Sequence, residues 1–213
     1  RETWRRRGFE PRMFELGAIF GTSGQTGDKR STIGALKSFD SEAEAEREAA
    51  PLFSRYGLKP AFHPEIVSHP RGRLELLYEN GGVMARMSDV AWVTSSGAAP
   101  IDVAKVEFAK GYAWHGFADR SYRGRVYVTI DRAGKLAIVN AVPIEAYLRG
   151  VIPSEIHPRA HDEALKAQAV AARGEALAKV GHRHIGDPYL LCAEQHCQVY
   201  SGTLKESAGT DRA

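Results

Sequence analysis

Short apolar runs separated by polar, turn-rich stretches occupy the first eighty residues. FELGAIF (14–20) and TIGALKSF (32–39) flank GTSGQTGDKRS, the pattern of two paired strands with a long connection. The period then changes. In SEAEAEREAAPLFSRYG the acids fill a first turn, Ser41 and Glu44 stand at capping-box spacing, and Gly57 supplies a stop, which predicts a helix. Pro51 predicts a kink or restart within it. LKPAFHPEIV (58–67) and RLELLYE (73–79) return to strand character, so residues 1–80 read as a small mixed α/β domain.

Residues 81–100, rich in small side chains and ending TSSGAAP, read as a linker. Beyond it GRVYVTID (124–131) alternates apolar and polar positions, RAG turns, and KLAIVNAV (135–142) pairs back as a hairpin. PIEAYLRGV follows as a short helix started by Pro143. A second helix is predicted over 162–180, with Asp162 as N-cap and Gly181 as stop. Steps of 100° put Leu165, Ala169, Ala172, Ala176 and Val180 on one face and Ala164, Ala167, Ala171 and Ala178 on the other. Small or apolar residues on both faces predict a helix packed on two sides. The fold class is α+β, with a β-rich domain over 101–213 built around this central Ala-rich helix.

Composition narrows the picture only a little. The 213 residues are 43% apolar and 26% charged, an ordinary globular balance. No apolar run is long enough for a membrane span, and the first residues lack the apolar core of a signal peptide. A net charge of +3 and a pI near 8.9 suit an anionic polymer, cell wall or nucleic acid, as well as a solvated surface.

Two stretches carry candidate chemistry. VIPSEIHPRAHDEALKAQAVAAR places a lone carboxylate, Glu155, between Ile152, Pro153 and Ile156, with Lys166 and Arg173 on one edge of the helix that follows. HRHIGDPYLLCAEQHC gathers His182, His184, Cys192, His196 and Cys197. Two thiolates with two imidazoles are the usual set for a tetrahedral soft divalent ion such as zinc. A Cys192–Cys197 disulfide and a pair of free thiols are the alternatives, because these are the only cysteines and stand too close in sequence to staple the domain.

VPIEAYLRGVIPSEI, DEALKAQAVAARGEAL and CAEQHCQVYSG stand in the order and spacing of the SpoIID/LytB domain, which this chain resembles from about residue 112 to 202. The resemblance implies a bacterial cell-envelope protein that acts on peptidoglycan, either as a lytic transglycosylase of denuded glycan strands or as an enhancer of wall amidases. It implies glycan strands as partner, wall amidases as possible further partners, and no nucleic acid. It places the family's catalytic glutamate on Glu155 and a His, Cys, His, Cys zinc set on His184, Cys192, His196 and Cys197, with His184 favoured over His182. Such a zinc would be structural, positioning Gln198 and Tyr200, which alternate about Val199 and so would share one side of an extended segment. Arg173, Lys166, Gln198 and Tyr200 are the residues expected to meet substrate. Family domains run on well past the CQVYSG motif whereas this chain stops soon after it, so truncation is expected. Residues 1–80 resemble, in element order and in the phrase SFDSEAEAEREAAPLFSRYGLK, the SPOR-like domains that bind glycan.

One carboxyl suffices for a lytic transglycosylase. The hydroxyl at C6 of the muramic ring is the nucleophile, so no second acid is needed to manage water on the far face, as in ordinary glycoside hydrolysis. The apolar neighbours of Glu155 are expected to keep it protonated for the acid step, whereas a direct pairing with Arg173 or Lys166 would oppose that.

Overall fold

The computed structural model describes residues 2–16, 19–22, 25–28, 30–57, 61–63, 68 and 70–213. The chain divides into two compact units, 1–67 and 68–213. The first holds α1 (Glu2–Arg5), β1 (Arg12–Leu16), β2 (Ile19–Thr22), β3 (Gln25–Asp28), β4 (Ser31–Ala35) and α2 (Glu42–Tyr56). β1 pairs antiparallel with β4, Phe14 opposite Ile33, and the polar connection between them forms its own hairpin, β2 with β3. Helix α2 starts as predicted: the Ser41 side chain accepts from the Glu44 amide at 3.2 Å. Gly57, at φ 65°, ends it. Pro51 does not restart the helix, which runs through it. Most of the strand predicted over 58–67 lies outside the described residues, and residues 61–63 carry no strand.

The second unit is α+β. Its strands are β5 (Arg73–Leu77), β6 (Val83–Ser88), β7 (Val90–Val93), β8 (Ile101–Phe108), β9 (Gly116–Tyr122), β10 (Arg125–Ile130) and β11 (Leu136–Ala141). Its helices are α3 (Ile144–Glu155), α4 (Asp162–Lys179) and α5 (Ala208–Arg212). β10 pairs with β11 in the predicted hairpin, Tyr127 opposite Val139, and on its other edge with β7, Tyr127 opposite Trp92. β5 with β6 and β8 with β9 form two further antiparallel pairs. The stretch read as a linker therefore contains β6 and β7. Its small residues concealed alternating Val83, Ala85 and Met87, and then Val90 and Trp92, which form strands because neighbouring chain satisfies their backbone.

Tyr122, Val126, Leu148, Val151, Ile152, Leu165, Ala169, Ala172 and Tyr200 make the core, so the hairpins, both long helices and the segment after Cys197 meet there. Helix α3 extends past the predicted proline turn to Glu155, with Pro153 buried in its last turn. Helix α4 is capped by His161, whose ring accepts from the Glu163 amide, rather than by Asp162. It buries Leu165, Ala169, Ala172 and Ala176, while Ala164, Ala167, Ala171 and Ala178 stay exposed. It is thus a one-faced helix and not the two-sided central one predicted. Alanine favours the helix intrinsically and leaves little apolar area in water when exposed, so an Ala-rich face does not by itself require cover.

Candidate functional site

The irregular segment after α4 brings His184, Cys192, His196 and Cys197 together. Their ligand atoms all lie within 4.8 Å of one another. Cys197 Sγ is 3.3 Å from His184 Nε2 and 3.7 Å from His196 Nδ1, and Cys192 Sγ is 3.7 Å from the same His196 nitrogen. These three contacts match the edges of a tetrahedron with metal–ligand bonds of about 2.0–2.3 Å, and the wider pairs of the group would close further on an ion. Both cysteines are free thiols. His182 stands outside the group, exposed on the turn after α4. Desolvation, then the charges of Arg183, His184 and Lys179, hold the His196 imidazole below its ordinary range, in the neutral form a metal needs. Burial pushes the Cys197 thiol up, so an approaching cation would displace its proton.

The loop is fastened on every side. The Lys179 ammonium donates to the Cys197 carbonyl and Arg183 donates to that of His196 at 2.9 Å. Glu194, between the ligands, accepts with both oxygens from the Ala109 amide, at 3.1 and 3.2 Å, at the end of β8. Gln198 is buried, donating to the Ala172 carbonyl of α4 at 3.2 Å and accepting from the Tyr147 hydroxyl of α3 at 3.2 Å. Tyr200 is buried too: its hydroxyl donates to Asn140 at 2.8 Å and its carbonyl accepts from Arg120 at 2.9 Å. The predicted sugar-facing pair therefore turns inward. Both polar groups are committed to joining the loop to α3, α4 and β11.

Glu155 stands exposed on the last turn of α3. The expected apolar enclosure is not there, because Ile152 and Pro153 turn into the core. Arg173 does not neutralise it: on α4 it donates to Glu145 of the first turn of α3 at 2.6 Å. Glu145 and Glu155 stand about 15 Å apart along the helix axis at 1.5 Å per residue. Lys166 pairs with Glu163 one turn back on its own helix, at 2.7 Å, and points to solvent. The four residues expected at substrate are thus not gathered round Glu155.

Sequence reasoning missed Asp187, whose carboxylate lies 2.8 Å from His184 Nδ1, and Arg132, which reaches that carboxylate at 3.2 Å. The run HIGDP held the signal, an acid three residues beyond a histidine in a turn. It also missed Tyr147 and Glu194, which fasten the loop from elements distant in sequence.

Comparison with known proteins gives two matches of limited extent. Residues 132–213 match the family model described as SpoIID, Stage II sporulation protein. An uncharacterized protein of Brachyspira hyodysenteriae is 37% identical over 78 residues, a stretch covering 37% of this chain and 21% of that protein. No solved structure matches.

Proposed function

We propose, from the match of residues 132–213 to the SpoIID family model and the sporulation-related, extracytoplasmic role at the cell wall that it points to, that the chain is a lytic transglycosylase of peptidoglycan glycan strands. Glu155 is its acid and base. The observation that carries this reading is the setting of Glu155 within the matched residues. Its helix end is held by buried Val151, Ile152 and Pro153, while the carboxyl itself is open to a polymer from outside. Among the described residues no helix is long and apolar enough to cross a membrane.

The protonated carboxyl would donate to the glycosidic oxygen between MurNAc and GlcNAc, and the C1–O bond breaks as GlcNAc leaves with that proton. The carboxylate then takes the proton of the muramic C6 hydroxyl as that oxygen bonds to C1. The product is a 1,6-anhydro ring and the acid is restored, with no water consumed. Because Glu155 is open in the free protein, the strand itself supplies the water exclusion that the acid step requires.

Zinc suits the donor set, with His184 Nε2, His196 Nδ1 and two thiolates filling all four positions. A bound zinc would cross-link the loop that holds α3 against α4, and with no open position it would leave the sugar chemistry to Glu155. The SPOR-like reading of residues 1–80 adds a second glycan contact to the same proposal.

A second reading, a non-catalytic peptidoglycan-binding or amidase-enhancing module, is favoured by one observation. Lys166, Arg173, Gln198 and Tyr200, the side chains expected at substrate, are each bonded to groups other than Glu155 and do not gather round it. Incubation with denuded glycan strands, read by mass analysis for anhydromuramyl ends, separates the two. The first reading expects such ends from the wild type and a fall of about 10²–10⁴ in rate for Glu155→Gln. Binding without products assigns the chain to the second.

A further inference from the structure

We infer that Asp187, anchored by Arg132, is the outer-sphere carboxylate of the His/Cys centre and sets its affinity for a soft divalent cation by fixing the tautomer and direction of His184. This rests on the metal reading above and extends it to residues that no metal would touch.

A neutral imidazole carries one proton on either nitrogen, and only the other nitrogen has a lone pair to give. With Nδ1–H donating to Asp187 Oδ2 at 2.8 Å, the lone pair lies on Nε2. That nitrogen is the one facing Cys197 Sγ, at 3.3 Å. Asp187 has its own reason to stay in place: its side chain is 7% exposed, and Oδ1 takes an ion pair from Arg132 Nε at 3.2 Å. A carboxylate so buried is costly without such partners.

The backbone around it is held in an unusual form. His184 lies at φ 54°, a left-handed conformation that a non-glycine residue adopts at a cost and that a surrounding structure must enforce. Its carbonyl accepts from the Asp187 amide at 2.9 Å, closing a tight turn that brings imidazole and carboxylate side by side. Tyr189 packs on the ring, centroids 4.8 Å apart. The sheet supplies the anchor: Arg132 stands in the turn after β10, and Tyr127 of β10 donates to the Pro188 carbonyl at 2.5 Å. Among the described residues no carboxylate bonds to the ring of His196, so His184 is the ligand whose aim is set in advance. Outer-sphere partners of this kind are worth about 10–100-fold in metal affinity.

The test uses the full chain, stripped of metal under reducing conditions and titrated with Zn²⁺ against a chromophoric chelator, with Co²⁺ absorption as a second readout. Asp187→Ala is expected to weaken zinc about 10–100-fold. Asp187→Asn, whose amide oxygen still accepts from Nδ1 without the charge, falls between it and the wild type. Arg132→Ala shows a smaller loss in the same direction, and His182→Ala shows none. Thermal unfolding of the metal-free proteins separates a merely structural role, which would lower the metal-free transition and leave affinity alone. Should Asp187→Ala unfold, the Asp187→Asn titration carries the same decision. Zinc affinity within twofold of wild type in the folded variant would overturn the inference and leave the metal reading standing. A wild type that binds neither Zn²⁺ nor Co²⁺ would overturn both.

Discussion

Tyr147 and Tyr200 face each other in the core, ring centroids 4.9 Å apart, and burial pushes the pKa of both well above the ordinary value. The folded state therefore holds their protons more tightly than the unfolded chain, whose tyrosines titrate near 10. Their contribution to stability is complete below about pH 10 and is lost as the pH rises toward the folded values. Tyr200→Phe removes the hydroxyl bond to Asn140 and is expected to cost about 1 kcal/mol at neutral pH. It should lose less than the wild type between about pH 9.5 and 11.5, measured as urea midpoints across that range. At this scale the sequence was legible for residue types whose chemistry needs company. Two thiols and three histidines within one short run pointed to a ligand group, and the structure gathers four of them. It was misleading for Gln198 and Tyr200, because alternation tells which residues share a side but not whether that side faces sugar or core. For Asp187 the run HIGDP shows an acid three residues beyond a histidine, but that the two side chains meet depends on a turn whose φ the sequence does not display.

The approach of α3 to the segment beyond Tyr200 is an element-scale constraint resting on one glycine. A Cβ at Gly150 would sit 2.5 Å from the Gly202 carbonyl oxygen and 2.6 Å from the Tyr200 ring. Gly150→Ala is expected to destabilise by about 1–3 kcal/mol in chemical denaturation, through forced separation of α3 from that segment. Gly174→Ala on the exposed side of α4 meets nothing within 4 Å and should stabilise by about 0.5–1 kcal/mol in the same assay. The β10–β11 hairpin and α2 were readable because turn chemistry and caps announce themselves locally. β6 and β7 were not, since their strand character comes from pairing with β5 and β10 and their own composition resembles a linker. The two-sided α4 was an error of the same origin: alanine marks a helix without marking a buried face.

For the molecule as a whole, metal binding and folding of the second unit share one free energy if the His/Cys group takes an ion. Zinc at about 100 times its Kd should add about 2.7 kcal/mol to that unit, seen in calorimetry as a raised Tm that chelator reverses and Cys197→Ala abolishes. An unchanged Tm would remove zinc from the account. The chain divides between residues 67 and 68, whereas the apolar and polar pattern reads residues 1–80 as one domain. The ties that hold the ligand loop also have a kinetic meaning. Ala109 to Glu194, Arg120 to Tyr200, Ser121 to Thr203 and Arg123 to Glu206 join residues 80–85 positions apart in sequence. Closing a loop of that length costs about 4 kcal/mol of chain entropy before any contact repays it, and such topologies fold slowly. During synthesis the ligand segment emerges after every hairpin it must find, and its docking waits on these long closures. Until it docks, Cys192 and Cys197 are thiols not yet gathered with the two histidines, open to a metal ion or to an oxidant alike.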